Sequence, residues 1–201
     1  MSIDRKNPRG GKLAGNRMLA RLPIFLTFLL AAIVMAGAYG ALHDQISYTV
    51  SPEYFTRFKF IKFQLLDETV PPRVRAAEVG VLASWWMGIP LGILTGLVGF
   101  IHRDTKVMIR SLAWSLVIMP VFALLFSLSG LLYGYLQTRT IDPSAYSDWY
   151  IPDGVQNLRN YICAGYMHGA GYLGGALAVP VAWIFHLIVK FKTRQPEESA
   201  A

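Results

Sequence analysis

Four long stretches without a single Asp, Glu, Lys or Arg constrain this chain more than any other feature: residues 22–42, 79–101, 111–137 and 161–189. Each has at least the roughly 20 residues a helix needs to cross a hydrocarbon layer of about 30 Å. In lipid the backbone has only itself to hydrogen-bond, so a spanning segment of this length must be helical. The pattern predicts an all-α membrane protein: four transmembrane helices in one bundle, forming a single domain over residues 22–189. Only 15% of the residues are charged, against about a quarter in soluble domains. The longest gap between spans, residues 43–78, is shorter than an independent domain usually is, which argues against a separate soluble catalytic unit.

The net charge of +7 is not a nucleic-acid signature, because the basic residues sit at span ends. Arg5, Lys6, Arg9, Lys12, Arg17, Arg21, Arg103, Lys106, Arg110, Lys190, Lys192 and Arg194 fall on one side, and with four acids they leave it at +8. The other side, with Arg57, Lys59, Lys62, Arg73, Arg75, Arg139, Arg159 and eight acids, is at −1. The positive-inside rule then places both tails, residues 1–21 and 190–201, and the loop around Arg103–Arg110 in the cytoplasm, with residues 43–78 and 138–160 outside. The basic amino-terminal tail is expected to be disordered or to lie on anionic lipid. A cleaved signal peptide over residues 1 to about 40 is the rival reading, but the apolar run is long for one. Cys163 is the only cysteine, so no intrachain disulfide can form.

The first external segment has the most local structure. Ile46–Val50 alternates like a strand, while Ser51-Pro52-Glu53 is a helix start. Tyr54, Phe55, Arg57, Phe58, Lys59 and Lys62 then interleave aromatics with bases, as in a short interfacial helix lying among headgroups. The expected cap is therefore that helix or a small α/β unit. In the second external segment, Asp153 is placed to cap the fourth span. The run from His43 to Phe60, HDQISYTVSPEYFTRFKF, resembles a segment of an uncharacterised family of bacterial multi-pass membrane proteins. The resemblance implies a bacterial inner membrane and brings no activity and no site.

Gly88, Gly92 and Gly96 recur every fourth residue in the second span, Gly165 with Gly169 and Gly171 with Gly175 in the fourth, and Gly130 with Gly134 in the third. Lipid tails are as apolar as leucine, so helices associate where small residues let backbones approach. Pro90, Pro120 and Pro180 should bend three of the four spans.

All ten tyrosines fall on the outer side, more than an aromatic belt on both faces would give. Among them lies His168, an ionisable residue inside a span, with Tyr161, Gly165, Tyr172 and Gly175 on the same helical face. His43 and Asp44 end the first span at the same level. A candidate outer pocket therefore comprises His43, Asp44, His168, Tyr172 and Tyr161. The bland alternative is a neutral histidine satisfied by one hydrogen bond. His102 and His186 lie near the other interface, where polar residues cost little. His168 and His186 are about 27 Å apart along one helix, which argues against a haem shared between them.

With no charged residue inside a predicted span, a carboxylate proton relay is disfavoured. No phosphate-binding loop, zinc-protease helix or nucleophile elbow occurs. No catalytic residue and no cofactor or metal is assigned. The leading expectation is a non-enzymatic membrane component that docks a protein partner or a second copy of itself through its aromatic outer face and glycine stripes. The alternatives are a conduit or pocket for a small uncharged or lipid-like solute, and a metal- or haem-dependent redox protein using His43 and His168. Besides the partner, the lipid bilayer is the expected surrounding; nucleic acid is not expected.

Overall fold

The computed structural model describes residues 18–198. The tail residues Arg5, Lys6, Arg9, Lys12 and Arg17 and the last three residues lie outside the described ones. Five helices run in order: α1 (Leu22–Val50), α2 (residues 52–62), α3 (Pro72–Ile101), α4 (Thr105–Gln137) and α5 (Leu158–Glu198). All but α2 are long and apolar enough to cross a membrane. Between 11% and 28% of the residues in each one's most apolar stretch are buried in the bundle. The rest of those stretches turns outward, a surface that a lipid environment covers at no cost.

α1 runs past the predicted end at residue 42, straight through the segment with strand-like alternation, to Val50. No strand occurs among the described residues, so the small α/β cap is replaced by a helical one. The reason is local. Nothing breaks the helix before Ser51, which precedes Pro52 and is held extended at φ −145°, ψ 94°. Ser51 then caps α2, its Oγ accepting the Tyr54 N–H at 3.2 Å. Asp44, expected just beyond the first span, is consequently a buried residue within a helix.

α2 contains a π turn over Phe55–Lys59, closed by Phe60 N–H donating to Phe55 O. The extra residue in that turn rotates the remainder of the helix. Phe60 enters the core, and Ile61, which an unbroken α-helix would set on the same face as Tyr54, is 53% exposed. Tyr54, Phe55 and Phe60 pack on Ala76, Val79, Tyr161 and Ala164, so α2 seals the bundle from above. Arg57 and Lys62 point outward, Phe58 is half-buried and Lys59 is buried.

The four long helices form two hairpins. α1 lies on α3, and at the closest crossing Gly40 and Gly80 place backbone against backbone. Further along, Gly88 meets Ile33, Gly92 meets Leu29 and Ala32, and Gly96 meets Phe25. α4 lies on α5 through Gly130 against Ala170 and Tyr166, and Gly134 against Cys163 and Tyr166. Gly165 is covered by the Trp149 ring, and Gly169 faces open space. Pro90 has no N–H to offer the Trp86 carbonyl, and a tightened 3-10 turn over Trp85–Met87 precedes it.

The segment between α4 and α5 is joined to the cap by Glu53. Its two carboxylate oxygens accept the N–H groups of Gln156 and Asn157, each at 2.8 Å. Asn157 rather than Asp153 caps α5, its Oδ1 accepting Asn160 N–H at 3.0 Å. Those two backbone bonds, with Arg57 nearby, hold the Glu53 carboxyl below its ordinary range. A depressed folded value means that this link stabilises above the unfolded pKa of about 4.3 and is lost as pH falls through the folded one. Amide exchange at Gln156 and Asn157 is therefore expected to accelerate, relative to the intrinsic rate, when the pH drops below about 4. Unchanged protection there would contradict the link.

Candidate functional site

The two hairpins meet through few contacts, and the buried polar groups of the bundle gather there. The end carrying α2 is the capped end; the end carrying residue 22 and the α3–α4 turn is the terminal end. At the capped end, α1 presents Gly40, His43, Asp44 and Ser47 on one buried face, as spacings of three and four dictate. His43 Nδ1 lies 2.9 Å from Asp44 Oδ1, and its Nε2 lies 2.7 Å from Ser127 Oγ on α4. Ser127 donates to Met167 O on α5 at 2.9 Å. His168 Nε2 lies 2.9 Å from Ser47 Oγ and 3.8 Å from Asp44 Oδ1. The two imidazoles stand edge to face, with centroids 4.8 Å apart.

α2 provides the roof of this cluster. The Tyr54 ring stacks on His168 at 5.0 Å, and Lys59 lies over the Tyr54 ring with Nζ 5.4 Å from its centroid. Burial holds the Lys59 ammonium below its ordinary pKa, partly offset by the Asp44 charge, and burial raises the Tyr54 phenol. Asp44 is 3% exposed, yet its Oδ2 has no hydrogen-bond partner, and the Tyr39 hydroxyl is also unpartnered. Leaving such groups unpaired costs about 1–3 kcal/mol each.

Below the cluster, a cavity of about 110 Å³ runs between the hairpins, lined by all four long helices. His43, Asp44, His168 and Tyr39 form its polar end; Met35, Met87, Leu91, Leu116 and Met119 are among its apolar walls. Gly175 faces this space rather than a helix, whereas Gly171 lies against Ser127 of α4 and His43 of α1. A Cβ on Gly175 would find only Leu91 Cδ1, at 4.0 Å. Tyr172 also lines the cavity and is 44% exposed, which marks the side where it reaches the outside.

Of the residues singled out in the sequence, the structure brings His43, Asp44 and His168 into contact and sets Tyr172 on the cavity wall. It puts Tyr161 elsewhere, packed under α2 with its hydroxyl donating to Tyr150 O at 3.0 Å. Ser47 and Ser127 were not foreseen. Ser47 carried a signal, since it stands one turn beyond His43; Ser127 carried none, because only tertiary packing brings α4 there.

The terminal end holds a second cluster that the sequence did not pair. His102 Nε2 lies 2.9 Å from His186 Nδ1, and His186 Nε2 lies 3.1 Å from Ser115 Oγ, which donates to Ser111 O. Both rings are buried. Since the Ser115 proton goes to Ser111 O, His186 carries its proton on Nε2 and His102 donates from its own Nε2. Burial first, then the charges of Lys190 and Arg21, lower the His102 pKa.

Comparison with protein-family models, with curated proteins and with solved structures gives no match for this chain.

Proposed function

We propose that this protein binds a lipid-like amphiphile, with the molecule's compact polar head at the His43–Asp44–His168 end of the cavity and its apolar part leaving past Tyr172. One observation carries the reading: an apolar cavity between the hairpins ends in a buried carboxylate oxygen and a phenol that lack partners. Apolar walls with a few convergent polar groups are the usual form of a small-molecule site. At about 110 Å³ the cavity is smaller than the one of about 150 Å³ that accepts benzene, so it takes a compact group and leaves the rest of the molecule outside. An unpaired carboxylate oxygen selects a head that donates a hydrogen bond, such as a hydroxyl. Docking through the aromatic outer face is less well supported, because Tyr54 and Phe55 are buried in the roof. A porphyrin between His43 and His168 would need their rings parted from the present 4.8 Å.

The charge asymmetry supports cytoplasmic termini, so that the polar end of the cavity faces the outer leaflet, and the resemblance of the run from His43 to Phe60 supports a bacterial inner membrane. Labelling of a cysteine introduced at Asp104 only after the membrane is permeabilised is the expected outcome.

Lipids extracted from protein purified through detergent exchange test the binding itself. One hydroxyl-bearing amphiphile is expected to remain in stoichiometric amount on the natural chain and to be absent from Gly175→Leu, whose side chain fills the cavity while the melting temperature holds. Retention of nothing, or equal retention by both chains, overturns the reading.

A further inference from the structure

The hydrogen bonds at the two ends of the bundle close differently. At the terminal end, one proton per donor runs from His102 through His186 and Ser115 to Ser111 O. At the capped end, the Ser127 proton goes to Met167 O, so its lone pair receives His43 Nε2–H. The other ring nitrogen of His43, Nδ1, then turns toward Asp44 Oδ1 at 2.9 Å. Two lone pairs at that distance need a positive centre between them, either a proton or a metal ion.

Three further observations favour the metal. His168 Nε2, which would exchange its 2.9 Å contact with Ser47 Oγ for the ion, approaches the same carboxylate oxygen at 3.8 Å, and donor atoms of His43, Asp44 and His168 all fall within 4.8 Å of one another. Donor atoms around a tetrahedral ion with bonds of about 2.0–2.2 Å stand roughly 3.3 Å apart. The 2.9 and 3.8 Å separations bracket that spacing, and the remaining pair, within 4.8 Å, would close by up to about 1.5 Å through rotation of the side chains. Finally, Asp44 Oδ2, buried and unpartnered at the cavity, leaves the carboxylate with an acceptor that its protein neighbours do not use.

We propose that His43 Nδ1, His168 Nε2 and the Asp44 carboxylate bind one divalent first-row transition metal ion, with its remaining position open to the cavity. Two imidazoles and one carboxylate suit ions such as zinc or iron(II); the set lacks the oxygens that calcium needs and the thiolates that copper(I) prefers. Ser127 is a positioning residue. By accepting Nε2–H it fixes the His43 tautomer that leaves Nδ1 free to coordinate, the support that metal-bound histidines usually have. The ion would meet the polar head of a molecule in the cavity, but the site does not rest on the amphiphile reading.

The test uses the full chain in detergent, stripped by a chelator, returned to chelator-free buffer and titrated with Zn²⁺ by calorimetry. One equivalent is expected to bind, and Co²⁺ to show visible d–d bands. Asp44→Asn, nearly the same shape, is expected to weaken binding by more than the 10–100-fold that loss of a supporting contact costs; Ser127→Ala should fall within that range. His102→Gln, at the opposite end, should bind as the natural chain does. His168→Gln is read in the same way should Asp44→Asn fail to fold. No saturable binding, or equal affinity in the natural chain and the ligand variants, overturns the proposal. Zn²⁺ binding without a retained amphiphile removes the function proposed above and keeps this one; a retained amphiphile without Zn²⁺ binding does the reverse.

Discussion

A chain carrying Gly80→Val is expected to lose a large part of the stability of its bundle. A Cβ at residue 80 would meet the carbonyl of Gly40 and the nitrogen of Ala41, and one at residue 40 would meet the Gly80 carbonyl. These are backbone atoms inside helices, so no rotamer change can relieve the overlap and the whole of α1 must move off α3. Overpacking a core costs about 1–3 kcal/mol when side chains can adjust. Here they cannot, and about 3 kcal/mol or more is expected, a large share of the roughly 5–15 kcal/mol by which folded proteins are stable. Moving α1 would also displace His43 and Asp44. The measurement is thermal unfolding in detergent followed by tryptophan fluorescence, with Gly169→Ala as the reference, since a Cβ there meets nothing within 4 Å. A loss below about 1 kcal/mol would mean that the two backbones do not cross at this point.

His186→Leu should cost about 2 kcal/mol, because it leaves the His102 donor and the Ser115 lone pair without partners in a buried place. The same cluster predicts a pH effect. The folded pKa of His102 is depressed, so its contribution is fully present above the unfolded value of about 6.5 and is lost as pH falls through the folded one. The positive charges facing it are Lys190 on α5 and Arg21 before α1. Glutamine at residue 102 can still donate to His186 Nδ1 but cannot titrate. His102→Gln should therefore match the natural chain near neutrality and lose less stability between about pH 6.5 and pH 5. Parallel melting curves for the two chains across that window would contradict this account.

The span count was legible because the requirement is simple: long runs without charge must be helices in lipid. The cluster at the capped end was partly legible. An imidazole inside an apolar stretch is expensive enough to mark itself, and spacing put His168 on a face with Tyr172. What misled was the end of α1. Asp44 reads as the first polar residue after a span only if polar residues must leave the membrane region, and they need not when the opposite hairpin surrounds them with partners. The alternation of Ile46–Val50 was weaker than the absence of any helix breaker before Pro52. In α2 the interleaved pattern gave the helix, but the π turn over Phe55–Lys59 sent Phe60 inward and Ile61 outward. A face count at 3.6 residues per turn has no means of anticipating that.

Glycine spacing likewise carried less than it promised. Gly88, Gly92 and Gly96 lie on α1, yet Gly175 faces a cavity and its partner Gly171 abuts Ser127 and His43, and the closest crossing pairs Gly80, two steps of four before Gly88, with Gly40, which no glycine repeat in the first span marks. His102 and His186 are 84 residues apart, and their rings meet only because the two hairpins close on one another. The sequence alone determined four apolar helices and the charge pattern around them, since solvent preference and helical period act residue by residue. Which polar groups meet, which glycines touch a backbone and where a cavity opens depend on how two hairpins pack, and tertiary structure alone decided those.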